Sequence, residues 1–170
     1  MIEMRVMGIA LDTRSGSPIV VLNDKENRKA LPIWIGSAEA SAIIRKIENI
    51  PSQRPLTHDL FLQISEQSEY KITKIEINDV DDQTYFSTIF MYNEKLDKEL
   101  QIDSRPSDAI AIALRADVPI YVTANVLATG LVSTDLEKDE QEAREFKEFI
   151  QDIKPSDFEK LLKKNFESDQ

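Results

Sequence analysis

The sequence predicts an α+β fold with a mixed, largely antiparallel sheet, packed helices and a C-terminal helical hairpin. Apolar, β-prone runs occur in pairs joined by short polar turns, which is typical of antiparallel hairpins. Segments with helical apolar spacing lie between these pairs instead of following every strand. This order differs from the strict strand–helix alternation of parallel α/β sheets, and it therefore favours the α+β class.

The size and composition indicate one soluble globular domain. The chain has 170 residues, of which 41% are hydrophobic and 31% are charged, so it is long enough to bury a sizeable core. The first residues lack a basic segment followed by a long apolar run, and no apolar run reaches the roughly 18 residues that span a bilayer. We therefore expect a cytoplasmic protein that does not associate with membranes.

The charge and the absence of cysteine restrict the possible chemistry. A formal net charge of −10 disfavours a stable nucleic-acid-binding module, although a nuclease needs only transient contact and a bound cation can reverse the local field. Without cysteine, a metal would be held by oxygen ligands or by the single histidine, His58. Mg²⁺ or Mn²⁺ is the expected cation, and no nucleotide-binding glycine motif points to an organic cofactor.

The N-terminal third predicts three strands. Residues 4–11 and 18–23 form the first hairpin, because two apolar runs flank a turn rich in Asp, Ser and Gly. Residues 31–35 form a short buried strand. Its Trp34 could be a base-stacking platform, but an apolar strand favours a position in the core.

Two helices follow. The first begins near Ser37 and ends before Pro51, and Thr57 is placed to cap the second. Helical spacing predicts that the second helix turns three residues towards the core. These are Leu60, Phe61 and Ile64.

The central region predicts a long hairpin and a buried helix. Residues 70–78 and 84–92 alternate around a polar turn, and a further strand includes residues 100–102. Pro106 suits the first position of a helix that is apolar nearly all round, which predicts a central, buried helix. A short strand follows at residues 119–122.

The composition changes near the C-terminus. We assign residues 1–135 to the α+β domain and residues 136–170 to a charged, amphipathic helical extension. Helical patterns at 137–153 and 156–166 flank Pro155, which predicts a helical hairpin. Its apolar stripe indicates packing on the body of the protein or on a protein partner.

The first candidate site segment begins a helix. Arg54 can bind a phosphate through two parallel hydrogen bonds, His58 can transfer a proton near neutral pH, and Asp59 can bind a cation or orient the imidazole. The structural alternative is equally simple. Thr57 would cap the helix, Asp59 would interact with its dipole, and His58 would have no catalytic role.

The second candidate segment also begins a helix. Free backbone N–H groups there favour an anion, and Asp103 and Asp108 could share a metal ion. The structural alternative is an ordinary strand-to-helix turn in which Ser107 and Asp108 bind first-turn N–H groups and Arg105 pairs with a nearby acid. Glu39 could be a further metal ligand, but a first-turn acid opposite the helix dipole is the simpler interpretation.

Four motifs in order closely resemble the bifunctional nuclease domain family. They are residues 31–36 (Leu-Pro-Ile-Trp-Ile-Gly), 54–60 (Arg-Pro-Leu-Thr-His-Asp-Leu), 103–110 (Asp-Ser-Arg-Pro-Ser-Asp-Ala-Ile) and 119–122 (Pro-Ile-Tyr-Val). The charged C-terminal segment resembles the extension of many bacterial members. The resemblance implies hydrolysis of both DNA and RNA, an α+β fold of unusual topology and assembly into homo-oligomers.

The leading hypothesis is a metal-assisted phosphodiesterase with nucleic acid as a transient substrate. The residues expected to take part in catalysis are His58, Asp59, Arg54 and Arg105, and the expected metal ligands are Asp59, Asp103 and Asp108. One alternative is a non-catalytic, homo-oligomeric interaction or regulatory module in which these residues are caps and ion-pair members. Another is an anion-binding protein that uses helix N-termini without chemistry.

Overall fold

The structure is a computed structural model that describes residues 1–82, 84–130 and the backbone of 132–133. The predicted C-terminal helical hairpin, within residues 136–170, lies outside the described residues. No helix in the described part of the chain is long and apolar enough to cross a membrane.

Strands and helices are interspersed along the chain. The strands are β1 (Ile2–Leu11), β2 (Pro18–Asp24), β3 (Lys29–Trp34), β4 (Lys71–Asp81), β5 (Thr84–Asn93), β6 (Lys98–Ser104), β7 (Ile120–Val122) and β8 (Val132–Ser133). The helices are α1 (Ser37–Ile47), α2 (Thr57–Gln67), α3 (Pro106–Ala116) and α4 (Ala124–Gly130).

The strands described by the structure form one eight-stranded sheet in the order β6-β5-β4-β7-β1-β2-β3-β8. Neighbouring strands are antiparallel except β4 and β7, which are parallel. The short β7 therefore joins two antiparallel halves, with Ile120 paired to Met4 on one side and to Ile75 on the other. The predicted α+β fold with a mixed, largely antiparallel sheet is confirmed.

Helix α3 is the central helix of the core. Between Asp108 and Arg115 its sequence is entirely apolar, and five consecutive residues from Ala109 to Ala113 are buried, with Ile110 at 0% exposure. They pack in one cluster with apolar residues from β1 to β5 and from β7, including Met4, Leu31 and Ile75. Because residues 109–113 are all buried, close packing holds α3 in one orientation. The packing of the helix also fixes the position of its N-terminus.

The predicted position of Trp34 in the core is wrong. The preceding Ile33 is 3% exposed, whereas Trp34 is 56% exposed. Ala30 to Ile33 are all buried although they point to alternate faces of the sheet, whereas Trp34 is the last residue of β3, where this covered stretch ends. The indole Nε1–H of Trp34 instead donates a hydrogen bond to Asp12 Oδ2 at 3.3 Å.

The predicted inner face of α2 is also partly wrong. Leu60 and Ile64 are 50% and 56% exposed, while Phe61 packs against the core. The side chains turned inwards follow the spacing i, i+3, i+4, i+7 of one helical face. They are His58, Phe61, Leu62 and Ser65. The histidine therefore lies on the packed stripe of the helix.

Candidate active site

Four charged or titratable side chains meet where α1, α2 and α3 begin. His58 Nε2 lies 3.2 Å from Asp108 Oδ1. Arg105 donates from Nε to Asp108 Oδ2 at 2.7 Å and from Nη1 to Glu39 Oε1 at 2.8 Å. We call Glu39, His58, Arg105 and Asp108 the His58 cluster. The two predicted segments therefore converge in space.

Local sequence explains how these side chains reach one another. Pro106 begins α3, which makes Arg105 its N-cap and places Asp108 in the first turn. Glu39 occupies the first turn of α1, and His58 that of α2. Carboxylates in first turns are favoured by the helix dipole, so the cluster collects its acids without strain.

Opposite charges lie next to one another in the cluster. Burial alone would raise the pKa of Asp108, but hydrogen bonds from Arg105 and His58 outweigh it and hold the pKa below its ordinary value. The same hydrogen bond to Asp108, reinforced by Glu39, raises the pKa of Arg105. Asp108 is therefore a carboxylate, and Arg105 a cation, at neutral pH. His58 is largely shielded, with 14% of its side chain exposed.

The His58 cluster lines an open cavity of about 650 Å³. This volume lies within the range of ligand-binding clefts. Ser37, Ser41, Arg45 and Thr57 also line it. Most of the lining is apolar, but one imidazole and two arginines can hold a phosphate group there and place it beside a proton-transfer residue.

Asp59 belongs to a different contact network. Its Oδ1 accepts a hydrogen bond from Arg115 Nε at 2.7 Å, and its Oδ2 accepts one from the Leu56 backbone N–H at 2.8 Å. Burial raises the pKa of Asp59, but these two donors outweigh that effect, and the net pKa lies below its ordinary value. Leu56, not Thr57, is the N-cap residue of α2, and Asp59 closes the first turn from position N3.

Arg115 links helices α1, α2 and α3. Besides Asp59, it donates to the backbone oxygens of Ala111 and Ala42. Only 6% of its side chain is exposed. Sequence reasoning missed this residue. The available signal was its position as the single basic residue in a helix that is otherwise almost entirely apolar.

A second cavity, of about 390 Å³, is lined by several cations. Arg45, Lys46 and Arg54 line it together with Arg115 and the single acid Asp59. The first three form no ion pair with any residue that the structure describes. We call this the basic pocket. It shares Arg45 and Leu56 with the His58 cavity, so the two are adjacent.

The predicted metal ligands are not assembled around one point. Asp103 lies in β6 opposite Thr88 and has an exposed side chain. Both oxygens of Asp59 and of Asp108 accept hydrogen bonds from other side chains or the backbone. Across residues 1–82 and 84–130, no three His, Asp or Glu side chains form a group that could hold a metal ion.

Comparison with known proteins places the motifs in a family context. The model of the bifunctional nuclease domain matches residues 20–135. The chain is similar to an uncharacterized protein of Mycobacterium tuberculosis strain H37Rv, which is 36% identical over 165 residues. That alignment covers 92% of this chain and 97% of the mycobacterial protein.

More distant similarity extends to plants. The chain is 25% identical over 116 residues to bifunctional nuclease 1 of Oryza sativa subsp. japonica, which covers 68% of this chain and 35% of the rice protein. Bifunctional nuclease 1 of Arabidopsis thaliana is 24% identical over 127 residues, covering 69% of this chain and 39% of that protein. The chain thus spans little more than a third of these plant relatives.

Proposed function

The chain belongs to the bifunctional nuclease domain family, and we propose that it is a hydrolase that cleaves phosphodiester bonds of DNA and RNA. The observation that supports this activity best is the contact between His58 and Asp108 beside the exposed guanidinium of Arg105. Together these groups can move a proton and stabilise a phosphate's negative charge at one place.

We assign proton transfer to His58. In the tautomer that donates its Nε2–H to Asp108, the Nδ1 lone pair can accept a proton. Water that loses this proton attacks phosphorus, and the bond between phosphorus and the leaving oxygen breaks. The leaving oxygen takes a proton from solvent, and the imidazolium of His58 then releases the proton that it accepted, which restores the base. Asp108 holds the ring in one orientation and stabilises the imidazolium that forms.

Arg105 stabilises the phosphate. Three of its five N–H groups contact Asp108 and Glu39, so two remain for a phosphate oxygen. Its side chain is 66% exposed, which keeps those donors accessible. The two carboxylates also fix the plane of the guanidinium, which reduces the entropy lost on binding substrate.

Arg54 acts in the basic pocket. Because this pocket adjoins the His58 cavity, we assign Arg54, with Arg45 and Lys46, to a phosphate of the neighbouring nucleotide. A local group of cations allows a chain of net charge −10 to bind a polyanion transiently. Asp59 takes a positioning role, since both of its oxygens hold Arg115 and the start of α2.

Metal assistance remains a prediction. Mg²⁺ or Mn²⁺ needs several oxygen ligands around one point, and the described residues Asp59, Asp103 and Asp108 do not offer that arrangement. We therefore assign no step to a cation.

The second candidate is a non-catalytic, homo-oligomeric interaction module. Leu60 and Ile64 lie one turn apart on the outer face of α2 and are half exposed, which suits a protein contact. A homo-oligomeric state, and docking of a protein partner through the C-terminal segment, remain predictions.

The test is hydrolysis of single-stranded RNA and DNA by highly purified protein, with Mg²⁺, with Mn²⁺ and with chelator. His58→Ala should lower kcat by about 10²–10⁴-fold, the usual contribution of a general base. Gln67→Ala, at the exposed end of the same helix, serves as the matched control and should retain full activity. Equal trace activity in the wild type and folded His58→Ala would indicate contamination and favour the interaction module.

A further inference from the structure

Trp34 is the single tryptophan of the chain and presents its ring to solvent. More than half of the residue, 56%, is exposed. Covering a large aromatic surface that is exposed to water is favourable, so the ring can contribute to binding if a ligand has access to it.

The ring of Trp34 is held in place. Its Nε1–H donates to Asp12 Oδ2, and Asp12 in turn accepts hydrogen bonds from the Arg14 backbone N–H and the Ser15 hydroxyl, both at 2.9 Å. The polar atom of the indole is therefore satisfied by the protein. The ring face is left for apolar or stacking contacts, and little rotational freedom is lost when such a contact forms.

Trp34 lines a cavity that adjoins the candidate active site. This cavity has a volume of about 710 Å³, and Tyr85, Ile35 and Arg105 also line it. Arg105 lines the His58 cavity as well, so one guanidinium borders both spaces. A ligand with a flat apolar part against Trp34 would therefore carry an anionic part within reach of Arg105.

A nucleotide has this combination of parts. We infer that Trp34 is a stacking platform for the base next to the phosphate that Arg105 binds, an assignment that rests on the proposed nuclease function. Every base has a π-face, so stacking tolerates any sequence and either sugar. The platform holds an unpaired base, which selects single-stranded substrates over duplexes.

The single tryptophan makes the inference directly measurable. The full chain is titrated with a single-stranded thymidine oligonucleotide of about twelve nucleotides, and with an abasic strand of equal length and charge. Strand integrity is checked on a denaturing gel after each titration. The thymidine strand should quench the emission of Trp34 and bind more tightly than the abasic strand, because only the former has bases to stack.

Variants separate stacking from charge. Trp34→Ala should weaken binding of the thymidine strand by about 5- to 150-fold, measured by anisotropy of a labelled strand, and should leave binding of the abasic strand unchanged. Trp34→Phe should restore most of the affinity. Leu96→Ala, which removes an apolar side chain that is 65% exposed in another part of the fold, should change neither affinity.

Two results would overturn the inference. One is equal affinity of the wild type for thymidine and abasic strands. The other is a Trp34→Ala variant that binds both strands normally but loses self-association in sedimentation, which would assign the ring to a second copy of the chain. If either result is obtained and the wild type still hydrolyses nucleic acid, the stacking role of Trp34 is rejected and the proposed nuclease function is retained. If it neither binds nor hydrolyses either strand, the proposed function fails with it.

Discussion

His58 Nε2 lies 3.2 Å from Asp108 Oδ1, although the two residues are 50 positions apart in the chain. Each lies in the first turn of its helix, so the contact exists because α2 and α3 begin side by side. A carboxylate that accepts a ring N–H fixes the tautomer and the orientation of an imidazole. The pair thus has the geometry of an oriented proton-transfer residue.

Asp108→Asn should lower kcat by about 10- to 100-fold, with a smaller rise in KM because Asp108 also anchors the phosphate-binding Arg105. An amide can still accept the ring N–H, but it has no charge to stabilise the imidazolium. The loss should be smaller than that of His58→Ala, because the base itself is retained. Steady-state kinetics on a single-stranded substrate measure the split between kcat and KM.

Asp108→Glu is the control for charge, because it keeps the carboxylate and should recover part of the lost kcat. Circular dichroism must show that all three proteins are folded. An Asp108→Asn enzyme with wild-type kcat would contradict the assigned role, and the His58–Asp108 contact would then be a structural helix-to-helix contact.

Local patterns predicted most of the sheet and three of the four helices described. The hairpin of β4 and β5 could be predicted because alternation and a polar turn specify an antiparallel pair. The position of β7 between β1 and β4 could not, because the pairing of Ile120 with Met4 joins distant parts of the chain. The short α4 and β8 also lacked a clear periodic signal.

The contacts within the candidate site could be predicted only in part, because they also join distant parts of the chain. Helix-start chemistry identified His58 and Asp108, but nothing local showed that Asp59 pairs with Arg115, which lies 56 positions away. Asp103 is only five residues before Asp108, yet the change from strand to helix directs it elsewhere. Sequence spacing predicts the relative directions of side chains within one helix or one strand. It does not predict them between a strand and the helix that follows it.

Asp59→Asn should destabilise the protein at neutral pH and less so in acid. The pKa of Asp59 is lowered in the folded state, so its ion pair stabilises the fold above the unfolded-state pKa and is lost as the pH falls through the folded-state value. We expect a loss of about 1–3 kcal/mol in the free energy of unfolding at pH 7, which shrinks below about pH 4.

Urea unfolding at several pH values measures this effect. Asp103→Asn is the matched control, because Asp103 is exposed and has no ion pair with a described residue, and its variant should stay within about 0.5 kcal/mol of the wild type. A loss in Asp59→Asn that does not change with pH would show that the carboxylate charge is not what Arg115 requires.

The basic pocket should determine part of the salt dependence of nucleic-acid binding. For single strands, a plot of log affinity against log salt concentration has a negative slope, and its magnitude decreases by about 0.7 for each phosphate that the protein no longer neutralises. Lys46→Gln/Arg54→Gln should therefore reduce the slope by about 1.4 if each cation binds one phosphate. Anisotropy of a labelled oligonucleotide across a range of salt concentrations measures it.

The control for the basic pocket must change the net charge equally. Lys29→Gln/Lys98→Gln removes two exposed cations that line none of the cavities near the His58 cluster. Its slope should remain close to that of the wild type. Equal reductions in both double variants would mean that the overall field of the protein, and not the pocket, attracts the strand.

The outer face of α2 should tolerate truncation where the inner face does not. Phe61 packs against the core, so Phe61→Ala should cost about 2–4 kcal/mol, whereas Leu60→Ala should cost less than about 1 kcal/mol because Leu60 is already 50% exposed. Urea midpoints at constant m-value measure both. If Leu60→Ala costs as much as Phe61→Ala, Leu60 is covered in solution. Sedimentation at several concentrations would then show whether a second copy covers it, because only self-association makes that loss depend on protein concentration.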